Sequence, residues 1–108
     1  MDRTGAVRAY YDALDAGDYG RLRDLLGPEF RQERGDRTFE GREAFVSFMR
    51  DDRPETDTTH AVDAVYESDA GVVAEGTLRR ADGSVWFRFA DAFAFEGEEI
   101  AELRTYTR

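Results

Sequence analysis

The chain has 108 residues, 41% of them hydrophobic and 13% aromatic, enough for one domain with one packed core. Asp and Glu number 24 against 15 basic residues, a formal net charge of −9 that disfavours nucleic acid and anionic membranes as partners. Cysteine is absent, which excludes disulfides, thiolate metal sites and cysteine nucleophiles.

Residues 3–16 carry Val7, Tyr10, Tyr11 and Leu14 at helical spacing, and Gly17 stands where a left-handed cap would end that helix. Asp18 is placed to cap a second helix, Tyr19–Leu26, which Gly27-Pro28 stops. A short strand is expected over Phe30–Glu33, with a turn at Gly35-Asp36. Phe39-Glu40-Gly41 leads into a third helix, Arg42–Arg50, with Ala44, Phe45, Phe48 and Met49 as its apolar stripe. After the polar loop 51–57 the pattern switches to period two. Strands are expected over Thr59–Glu67, Gly71–Arg80, Val85–Phe95 and Ile100–Tyr106, with an Asp-Gly hairpin turn at Ala81–Ser84. The order is three helices with one early strand, then a four-strand antiparallel meander. It predicts a single α+β domain over 1–108, with helices packed on one face of a curved sheet.

The most informative stretch is Val85–Phe95. Read as a strand, it places Val85, Phe87, Phe89, Asp91, Phe93 and Phe95 on one face. An acid among five apolar neighbours is costly unless it is paired, hydrogen-bonded or protonated. Asp91 therefore either faces an apolar pocket or turns out to pair with an arginine such as Arg88 or Arg104. The opposite face, with Trp86, Arg88, Ala90, Ala92 and Ala94, is flat enough for sheet-on-sheet packing and predicts a homodimer through the sheet.

Three segments carry a family resemblance. Tyr10–Asp18 resembles the first helix and Gly-Asp break of the nuclear transport factor 2-like superfamily. Phe39-Glu40-Gly41-Arg42-Glu43-Ala44-Phe45 is similar to its entry into helix three, and Asp91–Ile100 through Arg104–Tyr106 to its last hairpin. The superfamily includes ketosteroid isomerases, SnoaL-type polyketide cyclases, scytalone dehydratases and limonene epoxide hydrolases. The resemblance implies a cone-shaped fold whose curved, mainly antiparallel sheet and first helix enclose an apolar pocket. It also implies a small-molecule-binding protein, either an isomerase or lyase that enolises an apolar carbonyl compound, or a non-catalytic ligand-binding or dimerisation module. Ketosteroid isomerases pair an aspartate base with an oxyanion hole made of a tyrosine and a protonated aspartate. Position by position, Tyr10 falls on that tyrosine and Asp91 on the protonated aspartate. The base position falls on Gln32 or Glu33, and only Glu33 could abstract a proton, so Glu33 is the expected base. Tyr10, Phe87, Phe89, Phe93 and Leu103 are the expected ligand-binding residues. Enolisation of this kind needs no cofactor.

Other readings compete at several of these positions. Glu33 lies between Arg31 and Arg34 and also reads as an exposed ion pair. His60, the only histidine, opens a strand after a polar loop and reads as a surface or edge residue. Phe89 stands two residues before Asp91, where the epoxide hydrolases of the superfamily have an arginine, which argues against their chemistry. No metal-ligand spacing or phosphate loop is present. No apolar run approaches the roughly 20 residues of a membrane span, and a cytoplasmic location is expected. All 15 basic residues are arginine. Lysine loss follows from a GC-rich genome or from life in salt; together with the acidity it points to a halophile. Far-UV circular dichroism is then expected to show secondary structure lost at low salt, and full folding without added salt would contradict a saline origin.

Overall fold

The computed structural model describes residues 1–108. Three helices, α1 (Arg3–Ala16), α2 (Tyr19–Leu25) and α3 (Arg42–Asp51), pack against six strands. The strands are β1 (Leu26–Glu33), β2 (Thr38–Glu40), β3 (Thr59–Ser68), β4 (Gly71–Arg79), β5 (Val85–Glu96) and β6 (Glu99–Thr107). They form one sheet in the order β2-β1-β6-β5-β4-β3. All pairs are antiparallel except β1 with β6, so the sheet is mixed.

Local signals explain the helices. Asp2 caps α1 by accepting from the Gly5 N–H at 2.7 Å. Gly17 ends it at φ 69°, where the Asp18 N–H reaches the Ala13 carbonyl at 2.9 Å. Asp18 then accepts from the Arg21 N–H at 3.1 Å and starts α2. The buried side of α3 is Phe45, Val46 and Met49; Phe48 is only half-buried and Ala44 is exposed, so the expected stripe is rotated by about one position.

Two strands depart from the expectation. β1 is eight residues long and begins at Leu26, crossing Gly27-Pro28. Proline is tolerated there because the β1–β6 ladder is interrupted between Leu26 and Arg31, leaving Pro28 without a ladder partner. β2 is an edge strand of three residues, too short for any period to show.

Irregularities bend the sheet. Register shifts occur at Val62/Ala64, at Leu78/Arg79 and at Ala94/Phe95, and each bulge sharpens the local twist. The shift at Val62/Ala64 leaves Asp63 unpaired in the ladder, and its carboxylate meets Arg88 at 3.5 Å on the outer side. Leu78 pairs with Phe87 and Arg79 with Val85, so Trp86 is the extra residue of a bulge. Trp86 accordingly leaves the outer face, where alternation alone would put it, and joins Phe87 on the inner side.

The core lies between the helices and the concave face of the sheet. Val7, Leu22, Leu26, Phe30, Phe45 and Ile100 are fully buried there. This core fills only one end of the cone. The other end is a cavity.

Candidate functional site

The cavity has a volume of about 420 Å³. Leu78, Trp86, Phe87, Phe89 and Met49 make its apolar wall. Arg34, Asp36, Arg37, Asp52 and Glu55 stand at the charged rim. Its polar interior comes from Tyr10 on α1, Gln32 on β1, His60 on β3, Asp91 on β5 and Thr105 on β6.

Asp91 is 5% exposed and faces inward, as the alternation of β5 requires. Neither Arg88 nor Arg104 pairs with it; both are exposed. Its Oδ2 accepts a hydrogen bond of 2.6 Å from the Tyr11 hydroxyl. Its Oδ1 is buried and has no partner in the protein. Burial raises the Asp91 pKa above the ordinary carboxylate range; the Tyr11 bond, the neighbouring Thr105 hydroxyl and the His60 imidazole oppose that rise. The rise shifts the balance toward the neutral carboxylic acid, the form whose proton can be donated.

The two adjacent tyrosines divide their roles. Tyr11, not Tyr10, anchors Asp91. Tyr10 lines the cavity beside it, with ring centroids 5.2 Å apart, and forms no side-chain hydrogen bond of its own. Burial, reinforced by the Asp91 charge, holds the Tyr10 hydroxyl well above the usual tyrosine pKa. It stays a neutral donor.

Gln32 is the β1 residue that points in. It is buried at 4% exposure, its Nε2 donates to Thr105 Oγ1 at 2.9 Å, and its Oε1 lacks a partner. Glu33 lies on the outer side, exposed and paired with Arg31 at 3.1 Å. The alternation of β1 allows only one of the two inside, and the ladder pairing Gln32 with buried Leu103 selects the glutamine. Glu33 therefore cannot act as a base in this cavity.

Of the expected ligand-binding residues, Tyr10, Phe87 and Phe89 line the cavity. Phe93 and Leu103 do not. They lie deeper, at 2% and 0% exposure, because the Tyr10 and Tyr11 rings cover Phe93 at centroid distances of 5.3 and 5.9 Å. Of the two tyrosines, Tyr10 lines the cavity and forms its floor.

His60 is also inside, between the rings of Tyr11 at 5.1 Å and Phe89 at 5.5 Å. The Asp15 carboxylate holds it twice, at the backbone N–H (2.9 Å) and at Nδ1 (2.6 Å). Asp15 stands four residues after Tyr11, one helical turn on, so a single face of α1 serves both Asp91 and His60. A lone histidine carries no sequence signal for this, and its partner is 45 residues away. Nowhere do three or more His, Asp or Glu side chains converge into a group that could hold a metal ion.

The comparison with known families fits this geometry. The family model for the SnoaL-like domain matches residues 7–103. The chain belongs to the SnoaL-like family. No curated protein matches this SnoaL-like sequence. Among solved structures, a nuclear transport factor 2-like protein of unknown function from Cytophaga hutchinsonii superposes with a TM-score of 0.86 at 17% identity, covering 100% of this chain and 91% of that one. A candidate ketosteroid isomerase from Kribbella flavida gives a TM-score of 0.83 at 14% identity, over 96% of this chain and 76% of that one. An epoxide hydrolase of the limonene type from M. tuberculosis gives 0.80 at 20% identity, over 95% and 80%. These likenesses establish the nuclear transport factor 2-like cone for the SnoaL-like chain, with its three helices and curled, mostly antiparallel sheet.

The raised Asp91 pKa has a consequence for stability. The folded state keeps this proton at a pH where the unfolded chain, with an aspartate pKa near ~3.9, has lost it. Stability from this group is thus full in acid and falls as pH rises from that value through the folded pKa. Asp91→Asn removes the ionisable group while keeping an oxygen for Tyr11. Chemical denaturation is expected to show the variant more stable than wild type at neutral pH. The gain should vanish in acid below the unfolded value.

Proposed function

We propose that this SnoaL-like protein binds a small apolar carbonyl compound in the cavity and enolises it without a cofactor. The observation that carries this reading is Asp91: a buried acid with one oxygen tied to Tyr11 and the other without a partner, beside the Tyr10, Phe87 and Phe89 rings of the cavity. A substrate carbonyl oxygen placed there would receive the Asp91 proton as a hydrogen bond, with the Tyr10 hydroxyl as a second donor. Both bonds strengthen as negative charge develops on that oxygen, and donors in a water-poor site lower the barrier most. Leu78, Phe87 and Phe89 would hold the hydrocarbon part.

One observation favours a second reading, a non-catalytic ligand-binding module. The inward residue at the expected base position is Gln32, and an amide cannot abstract a proton. The two readings separate on β-tetralone, a bicyclic ketone with an activated α-C–H, whose exchange in D2O is read by proton NMR. Enolisation predicts exchange accelerated by the wild type. The rate should fall about 100-fold on removal of the Asp91 donor by Asp91→Ala and about 10-fold in Tyr10→Phe. Binding of β-naphthol, an enolate mimic, without any acceleration of exchange would leave the binding module.

We further propose a homodimer through the outer face of the sheet. Tyr66, Val73, Ala92 and Arg104 form a row across β3 to β6, with Ala90 and Tyr106 beside it. Tyr66, Val73 and Tyr106 are exposed apolar surface at 57%, 39% and 60%. Light scattering is expected to give twice the chain mass for wild type and the monomer mass for Val73→Arg. A monomeric wild type overturns this proposal.

A further inference from the structure

The enolisation reading lacks a base once Glu33 is outside and Gln32 is inside. Only two other groups in the cavity interior could accept a proton, Asp91 and His60. Asp91 is the group whose burial favours the protonated form. We infer that His60 is the proton acceptor of this cavity, and that Asp15 is the positioning residue that makes it one.

This inference rests on the enolisation reading and names the group that reading leaves unassigned. The geometry at His60 is specific. Asp15 Oδ2 accepts the His60 backbone N–H at 2.9 Å, which ties the start of β3 to the end of α1. Asp15 Oδ1 lies 2.6 Å from Nδ1. A carboxylate accepts and cannot donate, so it selects the tautomer with hydrogen on Nδ1. The lone pair then resides on Nε2, since the ring's one hydrogen bond within the protein is at Nδ1. The rings of Tyr11 and Phe89 restrict rotation of the imidazole. A dyad with this hydrogen-bond pattern fixes the ring's orientation and keeps the free nitrogen an acceptor.

The step balances within the protein and substrate. Nε2 takes the proton from the carbon next to the carbonyl. The C–H electron pair becomes a C=C bond, and the C=O π pair moves onto oxygen. Asp91 and Tyr10 hold that enolate oxygen by hydrogen bonds. Nε2–H then either trades its proton with solvent before one returns to the same carbon, which is exchange, or delivers it to a conjugated carbon, which is isomerisation. No oxidant, metal or co-reactant enters.

His60 is the only histidine in the chain, so its imidazole nitrogens are the only ones in a ¹⁵N spectrum and need no assignment. Wild type is expected to show the Nδ1–H tautomer. Asp15→Asn keeps an oxygen for the backbone N–H but turns an amide N–H toward Nδ1, and should switch the ring to the Nε2–H tautomer. Exchange of β-tetralone should fall about 100-fold in both Asp15→Asn and His60→Gln. The loss should lie in the maximal rate, with the KM and the affinity for β-naphthol held within about 2-fold. The spectrum of Asp15→Asn also reports whether that variant is folded, so the test does not depend on His60→Gln folding. An Nε2–H tautomer in the wild type would overturn the inference. So would β-tetralone exchange that proceeds at the wild-type rate in His60→Gln, an outcome that leaves the enolisation reading standing. Wild type that binds β-naphthol yet exchanges no α-proton would end both.

Discussion

The hydrogen bond from Tyr11 to Asp91, 2.6 Å long and buried, is the contact on which the rest of this site depends. It joins the middle of α1 to the middle of β5. Burying a carboxyl without a partner costs several kcal/mol, about 2 to 7 for a polar group left unsatisfied, so the acid must be either neutral or well bonded. Here it is bonded on one side only. The other oxygen is buried without a protein partner beside the cavity, and burial offsets the bond enough to keep the pKa raised. A group in this position weakens the fold at neutral pH and is available for chemistry, the usual exchange between stability and activity.

The same face of α1 organises everything around that bond. Tyr11 takes Asp91, Tyr10 closes the floor, Leu14 lines the wall and Asp15 fixes His60. The sheet answers with its bulges. They curl β3, β4 and β5 around the helix, turn Trp86 inward and put Asp63 outward against Arg88. Gly76 is part of this fit, because a Cβ there would collide with the Ala61 carbonyl and press on the Phe89 ring. The core fills the closed end and the cavity remains at the other.

Much of this was legible in the sequence because it repeats. The helices had caps and periodic stripes, and five of the strands had runs long enough to count. Period two along Val85–Phe95 correctly turned Asp91 inward, since no bulge lies between Phe87 and Ala94. It failed at Trp86, one residue beyond, where a bulge breaks parity and leaves no mark in composition. Gln32 and Glu33 could not be separated, because a register between distant strands decides which faces in. The segments β2 and Gly27-Pro28 were missed as strand, the first for its length and the second for its proline. His60 was the largest loss. Its meaning depends on Asp15, a contact between a helix end and a strand start that no local pattern encodes. Phe93 and Leu103 were expected one layer too high, because the alternation gives a face and not a depth.

The central claim is that Asp91 holds its proton when ordinary aspartates have lost theirs. Carboxyl ¹³C NMR of aspartate-labelled protein, read against Asp91→Asn to identify the signal, measures it directly. One carboxyl, absent from the variant, is expected to titrate at a pH above the ordinary ~3.9. A signal for Asp91 that titrates with the surface carboxyls, or is ionised throughout, would contradict it.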